Sequence, residues 1–416
     1  MQSEMPTAEI SGSKKGGKTM TGKEQVSGNR LHITFFGMRN AGKSSLVNAV
    51  TGQELSIVSD VKGTTTDAVR KAMELLPLGP VVITDTAGMD DEGALGKERV
   101  RKAKQELIRT DIAVLVTDAT KPPLEEEKAL LKEFKNRKIP YIIVRNKADL
   151  DTIPWESEET VFTSAKNGTG IEELKEKLGK LKTDKKEKKV VADLCEKGDI
   201  VLLVIPIDES APKDRIILPQ QIVIRELLEK GVSILCCKDT EVTETLEKMK
   251  NLPDLVITDS QVFGEVEKVV PKDVPLTSFS ILFARYKGEL DALTRGAERL
   301  KKIKTGDKVL IAEGCTHHRQ CNDIGTVKMP NWIKEFTGEN PEFAFVSGRE
   351  FPENLKEFAL VVHCGGCMIT ETEMKNRIKI AEENDVPVVN YGIAIATMKG
   401  ILDRSTEIFK KDKEEK

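Results

Sequence analysis

The stretch GMRNAGKSSL, from Gly37 to Leu46, has the residue types and spacing of a phosphate-binding loop. It fits the pattern Gly-x-x-x-x-Gly-Lys-Ser and lies between an apolar run and a predicted helix, where glycines let backbone N–H groups surround phosphate oxygens. Lys43 is then placed to bridge the β- and γ-phosphates, and Ser44 to hold magnesium. The first chemistry that the sequence predicts is therefore nucleotide binding.

Four further motifs have the order and location of those in a GTPase. DTAG and NKAD each end a predicted strand, KGTTTD lies between the phosphate loop and the second strand, and SAK follows the strand after NKAD. The aspartate of NKAD, Asp149, can accept paired hydrogen bonds from guanine N1–H and the exocyclic amine, which adenine does not present there. The predicted nucleotide-binding residues are Gly37, Asn40, Ala41, Gly42, Lys43, Ser44, Ser45, Thr65, Asp85, Gly88, Asn146, Lys147, Asp149, Ser164, Ala165 and Lys166.

These motifs resemble the translation-factor-like class of small GTPases. Met89 follows DTAG where a glutamine could orient water, so hydrolysis of GTP to GDP and phosphate should be slow without another device. Asn40 matches the asparagine with which potassium-activated members hold a monovalent cation, or it is a loop former chosen for its turn preference. Thr65, flanked by Thr64 and Thr66, is the predicted switch threonine on magnesium. The predicted catalytic residues are Lys43, Asn40, Thr65 and Gly88.

A second cluster of reactive side chains lies near the carboxyl end, where CTHHRQC and HCGGC contain four of the seven cysteines and three of the four histidines. Each motif follows an apolar run typical of a strand, so in a parallel sheet both loops emerge at the same edge. Cys315, Cys364 and Cys367 with one histidine would satisfy tetrahedral zinc, whereas three thiolates alone would hold a 4Fe-4S cluster. Glycine N–H groups free to approach sulfides mildly favour the cluster. The residue pattern leaves both metals open.

The combination of motifs resembles the HydF family, the maturation GTPases of iron-only hydrogenase. CTH at 315–317 and HCGGC at 363–367 follow a potassium-type GTPase and a middle α/β segment, and the resemblance spans residues 30–405. It implies a homodimer or larger oligomer and a 4Fe-4S cluster on the three cysteines. It also implies a scaffold that receives a transient di-iron precursor built with two radical S-adenosylmethionine enzymes and delivers it to the hydrogenase. His317 and His363 match the family's motif histidines, either as a fourth iron ligand or as groups hydrogen-bonded to loop backbone.

Short apolar runs alternate with helical stretches along the whole chain, which predicts three α/β units. They are a Ras-like P-loop GTPase domain with a doubly wound parallel sheet, a middle α/β dimerisation domain and an α/β iron–sulfur domain. The predicted limits are 1–29 for a disordered start, 30–182 for the GTP-binding domain, 190–268 for the dimerisation domain, 269–405 for the iron–sulfur domain and 406–416 for a charged tail. The predicted strands include 33–36, 81–84, 112–116, 141–144, 201–205, 233–236, 255–258, 309–312, 343–346, 360–362 and 388–390.

Composition restricts the compartment and the partners. The chain has 65 basic and 68 acidic side chains and only 4% aromatic residues, so no basic surface with interleaved aromatics predicts nucleic-acid binding. No apolar run reaches the roughly 18 residues needed to cross a bilayer, and a cytoplasmic protein without a membrane partner is expected. An odd cysteine count without an export signal argues against disulfides. Cys195, Cys236 and Cys237 are predicted to be buried, apolar side chains.

Two other hypotheses compete with hydrogenase maturation. One is a GTPase of tRNA modification or ribosome assembly whose last domain holds structural zinc, which the GTPase subtype supports and the balanced charge opposes. The other is a binding module with an inactive nucleotide site. It does not explain why Lys43, Ser44 and Asp85 are all in place.

Overall fold

Three β-sheets follow one another along the chain, each packed against helices. The computed structural model describes residues 30–52, 68–76, 78–89, 101–153, 159–181, 188–207, 216–314, 323–348 and 350–410. Within these ranges, none of the helices has both the length and the apolar composition needed to cross a membrane. The succession of three α/β units confirms the predicted fold class.

The first sheet carries the nucleotide-binding motifs. Its four central strands are almost wholly buried, as expected for parallel strands between two helical layers. The strands are β1 (Leu31–Phe36), β2 (Val69–Leu75), β3 (Gly79–Asp85), β4 (Ile112–Asp118), β5 (Tyr141–Asn146) and β6 (Thr160–Phe162), in the spatial order β2-β3-β1-β4-β5-β6. The helices are α1 (Lys43–Thr51), α2 (101–107), α3 (Glu125–Asn136) and α4 (Ile171–Lys180).

This sheet differs from the predicted parallel arrangement at one edge, where β2 pairs antiparallel with β3. Arg70, Lys71 and Glu74 interrupt the apolar pattern of β2, because an edge strand needs no apolar residues on both faces. The turn into β3 contains Gly79 with a φ of 79°, a left-handed conformation that glycine adopts without steric cost. The mixed sheet still brings the carboxyl ends of the parallel strands to one edge.

The middle sheet is parallel throughout. Its strands are β7 (Ile200–Val204), β8 (Ser233–Cys237), β9 (Leu255–Thr258) and β10 (Leu276–Ser278), in the order β10-β9-β7-β8. Its helices are α5 (Leu218–Lys230), α6 (Val242–Lys248) and α7 (Phe263–Val269). Because β10 pairs with β9, this sheet extends past the predicted domain limit at 268.

The cysteines outside the predicted metal site have different environments. Cys195 is buried, as predicted, but Cys236 is exposed and Cys237 is half-buried. The prediction is wrong for these two residues because β8 is an edge strand whose side chains are largely exposed. An apolar run predicts a strand, but it does not show whether other elements cover that strand.

The last sheet is also parallel. Its strands are β11 (Lys308–Glu313), β12 (Glu342–Ser347), β13 (Leu360–His363) and β14 (Val388–Asn390), in the order β12-β11-β13-β14. The helices after β10 are α8 (Phe279–Lys287), which connects the middle sheet to the last part of the chain, α9 (Leu290–Leu300), α10 (Met329–Thr337), α11 (Glu371–Glu383), α12 (Tyr391–Met398) and α13 (Leu402–Thr406). In the register of neighbouring strands, Ala312 of β11 lies beside His363 of β13. The two strands that lead to the predicted cysteine motifs therefore end side by side.

The three sheets differ in how they are connected. The middle and last sheets share one continuous hydrophobic core, whereas the first sheet has two cores of its own. Helix α8 starts directly after β10, and its buried Phe279, Leu282 and Phe283 belong to the shared core. The first unit meets the last through Ile108, whose side chain belongs to the shared core, and through polar contacts such as the 2.8 Å hydrogen bond from Asn376 Nδ2 to the Ile108 carbonyl.

Candidate functional site

The phosphate loop connects the carboxyl end of β1 to the amino end of α1. A β-carbon at Gly37 would lie 2.1 Å from a carbonyl oxygen of β4, and one at Gly42 would lie 2.3 Å from Asn146 Nδ2, so both positions require glycine. The ammonium of Lys43 is buried and donates to the carbonyls of Gly37 and Met38 at 3.0 and 2.8 Å. The lysine is thus held over the loop, where it can reach a bound phosphate.

Ser44, which is predicted to hold magnesium, meets the aspartate of DTAG beside this loop. Ser44 Oγ donates to Asp85 Oδ2 at 2.6 Å. The other carboxylate oxygen, Asp85 Oδ1, is buried and has no hydrogen-bond partner among the residues that the structure describes. A hydroxyl beside an unpaired carboxylate oxygen is the oxygen donor set that magnesium prefers. These residues fit the predicted ion, while Thr65 lies outside the described ranges.

The remaining predicted phosphate residues surround the start of α1. Asn146 Nδ2 donates to the carbonyl of the buried Ala41 at 3.0 Å, which ties the base motif to the phosphate loop. Gly88 approaches the same loop so closely that a β-carbon there would lie 2.8 Å from Arg39 Cα. Ser45 is half-buried in the first turn of α1. The structure therefore brings together the DTAG, NKAD and phosphate-loop motifs.

The base-recognition residues form a connected group. Asn146 Oδ1 accepts a 3.2 Å hydrogen bond from the Ala165 N–H. Ser164 Oγ donates to Asp149 Oδ1 at 2.7 Å, and this bond lowers the pKa of the Asp149 carboxyl. Lys166 is exposed at the edge of the group. An ionised carboxylate held in place is the acceptor that guanine requires.

Asp118 also belongs to this group, and the sequence reasoning missed it. Lys147 has a left-handed φ of 67°, and its ammonium donates to Asp118 Oδ2 at 2.6 Å. Burial raises the pKa of Asp118, but hydrogen bonds from Lys147 and Thr120 more than offset it, so the pKa lies below its usual value. Asp118 ends β4 beside Asn146 at the end of β5. A polar residue at the carboxyl end of a central strand was the available signal.

Asn40 in the phosphate loop and Met89 after DTAG occupy contrasting environments. Asn40 is exposed and has a φ of 61°, a conformation that asparagine tolerates better than most residues. Met89 is only 7% exposed and packs in an apolar cluster with Phe36 and Leu107. A buried thioether cannot orient an attacking water as an amide would.

The second candidate site lies at the end of β13. Cys364 Sγ accepts hydrogen bonds from the backbone N–H groups of Gly314, at 3.1 Å, and Gly366, at 3.4 Å. Burial raises the pKa of the Cys364 thiol to about 11 despite these bonds. Cys367 is half-buried in the same loop, and burial raises the pKa of its thiol as well. The two N–H donors aimed at Cys364 Sγ would stabilise a thiolate bound to a metal, whereas the raised pKa values keep both thiols protonated without one.

The remaining predicted ligands cannot be placed. The segment 315–322, which contains Cys315 and His317, lies outside the described ranges. Gly314, the residue before that segment, contacts Cys364 Sγ, so β11 leads the chain directly to the cysteine loop. In the part of the chain with described coordinates, no three ligating side chains come together.

His363 is fully buried, and both of its ring nitrogens have partners. Nδ1 lies 2.8 Å from the Cys364 carbonyl, and Nε2 lies 3.0 Å from a guanidinium nitrogen of Arg377. Since a guanidinium only donates, Nε2 accepts and Nδ1 carries the proton. Burial and Arg377 lower the pKa of His363 to about 3, so the ring is neutral. These contacts correspond to backbone hydrogen bonding, one of the two roles expected for this histidine.

Lys287 also belongs to the site and was missed by the sequence reasoning. It ends α8, is 1% exposed, and donates to the carbonyls of Gly366, Cys367 and Ile369 at 3.1, 3.0 and 2.7 Å. Burial lowers the pKa of Lys287 to about 8. Lysine at the end of a helix is common, so its position gave no signal of this role.

Family models match three consecutive parts of the chain. Residues 32–147 match a model described as 50S ribosome-binding GTPase, residues 190–288 match the hydrogen maturase F dimerization domain, and residues 291–408 match the hydrogen maturase F tetramerization domain. The fold, the phosphate site and these models together define a P-loop GTPase followed by two α/β oligomerisation domains. Because the two hydrogen maturase F models together cover more than half of the chain, the protein belongs to the HydF family.

The MnmE relatives of this chain match its GTPase part alone. The tRNA modification GTPase MnmE of Legionella pneumophila (strain Corby) is 40% identical over 150 residues, which is 35% of this chain and 33% of that protein. MnmE of Xanthomonas oryzae pv. oryzae (strain MAFF 311018) is 38% identical over 154 residues, or 36% of this chain and 34% of that protein. The chain therefore spans about one third of the length of these relatives.

Solved structures of GTPases are also similar to this chain. The Aquifex aeolicus Era structure bound to GDP.AlF4- is 20% identical, covers 57% of this chain and 97% of its own, and has a TM-score of 0.34. The cytosolic domain of the T. maritima FeoB iron transporter is 25% identical, covers 40% of this chain and 69% of its own, and has a TM-score of 0.29.

Proposed function

We propose that this chain is a GTP-hydrolysing scaffold or carrier that assembles the di-iron precursor of the hydrogenase H-cluster and delivers it to iron-only hydrogenase. Membership of the HydF family supports a role in hydrogenase maturation. The observation that carries the finer proposal is the pair of backbone N–H groups on Cys364 Sγ. One of these N–H groups belongs to Gly314, the residue directly before Cys315. Cys315 and Cys364 can therefore bind the same cluster.

In this proposal, Cys315, Cys364 and Cys367 provide three thiolates for a 4Fe-4S cluster. A cluster held by only three thiolates supplies one iron that is open to exchange, which a scaffold needs to accept and release a precursor. His363 fixes the loop backbone through its bond to the Cys364 carbonyl. His317 remains the candidate for the fourth iron position.

The nucleotide site supports hydrolysis of GTP with magnesium, and we propose that the rate is slow and stimulated by potassium. Lys43 contacts the phosphates, and Gly88 can donate its N–H to the γ-phosphate. The magnesium ion that binds the phosphates is held by Ser44, Thr65 and Asp85. Asn40 is the proposed potassium ligand, and the cation would stabilise charge that develops during phosphoryl transfer.

We further propose a homodimer or larger oligomer acting in the cytoplasm, with the hydrogenase apoprotein and two radical S-adenosylmethionine enzymes as partners. The dimerization and tetramerization models support self-association. The proposed domain limits are 30–182 for GTP binding, a middle domain that starts at 190 and includes β10, and a cluster domain that ends near 405. The near-zero net charge of -3 supports the absence of a nucleic-acid partner.

Replacement of one cluster ligand tests this proposal. Cys364→Ala should lose most of the cluster and retain GTP hydrolysis, because the two sites lie on different sheets. The measurement is anaerobic reconstitution with iron and sulfide counted per chain, together with GTP turnover. Cys236→Ala, which removes an exposed thiol of β8, is the matched control and should keep full cluster content. Full occupancy after loss of Cys364 overturns the assignment.

The similarity of the GTPase part to MnmE favours a second candidate, a GTPase of tRNA modification or ribosome assembly with structural zinc. Metal analysis of the anaerobically purified protein separates the two functions. Equimolar zinc without iron or sulfide would support the second candidate and exclude the cluster.

A further inference from the structure

We propose that Lys287 is a positioning residue for the cysteine loop 364–369, and that its ammonium provides a fixed positive charge beside the metal ligands Cys364 and Cys367. The inference rests on the proposed cluster site, and it assigns a role to a residue from another part of the chain. Neither cysteine motif includes this lysine.

Lys287 forms a clamp on the loop, that is, one ammonium hydrogen-bonded to three backbone carbonyls of the same loop. A lysine ammonium has three N–H donors, and here each has a backbone carbonyl of the loop as its partner, on Gly366, Cys367 and Ile369, at 2.7 to 3.1 Å. The three acceptors lie within four consecutive residues. One cation therefore fixes the path of the chain on both sides of Cys367.

Burial shows that this contact has an electrostatic role as well. Lys287 is 1% exposed, and an ammonium with only neutral acceptors is costly to bury. Its charge lies 5.5 Å from the ring centroid of Phe283, one helical turn earlier, which compensates a small part of the cost. Cys364 and Cys367 would supply the missing negative charge once a metal displaces their protons, because burial alone keeps both thiols neutral. A cysteine-ligated cluster would keep that negative charge in place.

The position of the clamp in the fold connects two domains. Lys287 lies in the range that matches the dimerization model, 190–288, whereas the loop lies in the range that matches the tetramerization model. The start of α8 also approaches the loop, because a β-carbon on Gly365 would lie 3.2 Å from Ser280 Oγ. The cysteine loop is therefore shaped by an element of the middle domain, and the last domain alone does not complete the site.

Substitution of Lys287 tests both parts of the role. Lys287→Met should reduce the iron and sulfide retained per chain after anaerobic reconstitution by about threefold or more, because three carbonyls lose their charged donor. It should also lower the midpoint potential of the remaining cluster, since loss of a nearby positive charge disfavours the reduced state. Lys287→Arg keeps the charge but not the convergent geometry, so it should restore the potential more than the cluster content.

A matched control lies two residues away on the same helix. Arg285→Met also removes one positive charge from α8, but Arg285 pairs with Asp193 instead of the loop. This variant should keep the cluster content and potential of the wild type. If it shifts both as strongly as Lys287→Met, the effect comes from net charge and the positioning role is excluded.

A second measurement separates this inference from the cluster proposal. In the chain without reconstitution, amide hydrogen exchange of residues 364–370 should accelerate by about tenfold or more in Lys287→Met, and not in Arg285→Met. If the wild type takes up no iron and sulfide, the cluster proposal fails, while the exchange rate still tests the clamp. If Lys287→Met does not fold, Lys287→Gln replaces it. A folded Lys287→Met or Lys287→Gln variant with unchanged exchange, cluster content and potential overturns the inference.

Discussion

Two explanations account for the presence of Asn40 in the phosphate loop. Its φ of 61° is a backbone conformation in which asparagine is favoured, whereas the proposed potassium site needs its side-chain oxygen. Asn40→Gly separates them, since glycine keeps the turn and removes the carboxamide. We expect this variant to bind GDP normally and to lose the stimulation of GTP hydrolysis by potassium over sodium, with turnover in potassium falling about tenfold or more. Steady-state phosphate release in the two salts is the measurement.

Asn40→Asp is the control for this prediction. Aspartate also tolerates the left-handed conformation and keeps an oxygen ligand, so potassium stimulation should persist. Equal stimulation of the wild type and Asn40→Gly would show that asparagine is there for the turn alone.

The sequence predicted the residues that act through a fixed motif, and it missed those that act through tertiary neighbours. Lys43, Ser44 and Asp85 were predicted because the phosphate chemistry demands these types at these spacings, and the structure places them together. Asp118 meets Lys147 from 29 residues away, and Lys287 meets Gly366 from 79 residues away. No local pattern encodes such contacts, because any solvated charge has the same appearance in the sequence.

At the scale of the element, β8 is an open edge of the middle sheet. Its side chains are largely exposed, and that of Leu235 is 38% exposed. The opposite edge strand, β10, is buried, and Thr277 Oγ1 donates to the Ser405 carbonyl at 3.0 Å. An exposed apolar edge strand is a ready surface for pairing with another chain. Because the middle domain matches the hydrogen maturase F dimerization domain, we expect a second copy of this chain to cover β8.

Leu235→Lys tests this expectation, because a charge on an edge strand opposes pairing. The solution mass measured by light scattering should fall by about half or more, while GTP hydrolysis persists because the nucleotide site lies on another sheet. Leu76→Lys is the control, since Leu76 is 77% exposed in the first unit. An unchanged mass for Leu235→Lys would place the oligomer contact on a different surface.

The positions of strands were predicted well where a strand is buried on both faces, because such a strand is a continuous apolar run in the sequence. The cores of β4, β9 and β14 agree with the predicted 112–116, 255–258 and 388–390 for this reason. The edge strand β2 was not predicted because polar residues interrupt its pattern. The limit at 268 preceded β10 because a three-residue strand carries too little signal to be assigned to a sheet.

A buried polar network joins the GTPase unit to the cysteine-bearing unit. Arg109, two residues beyond α2, donates to Glu373 Oε1 and to the Gly348 carbonyl, both at 3.0 Å. Arg377 donates to the same two acceptors at 2.5 Å, and it also contacts His363 beside the cysteine loop. The sequence could not predict this network, since Arg109 and Glu373 are 264 residues apart and neither belongs to a motif.

The charge of Glu373 is the centre of this network, and its pKa gives a testable pH dependence. Burial raises the pKa of the Glu373 carboxyl, but Arg377 and Arg109 more than offset it, so the folded-state pKa lies below the usual 4.5. A carboxyl with a lowered folded-state pKa contributes stability that is fully present above its unfolded-state pKa. This contribution is lost as the pH falls through the folded-state value.

Glu373→Gln keeps the size of the side chain but leaves two buried guanidinium groups without their counter-charge. We expect calorimetry at pH 7 to show a melting temperature about 4 °C or more below that of the wild type, because breaking a buried ion pair is strongly destabilising. The difference should be smaller at pH 4, where the unfolded wild-type carboxyl is largely protonated. Glu382→Gln on the same helix breaks only the exposed 3.4 Å pair with Arg295 and should shift the midpoint by less than about 2 °C. Equal midpoints for Glu373→Gln and the wild type at pH 7 would show that the network does not stabilise the junction between the two units.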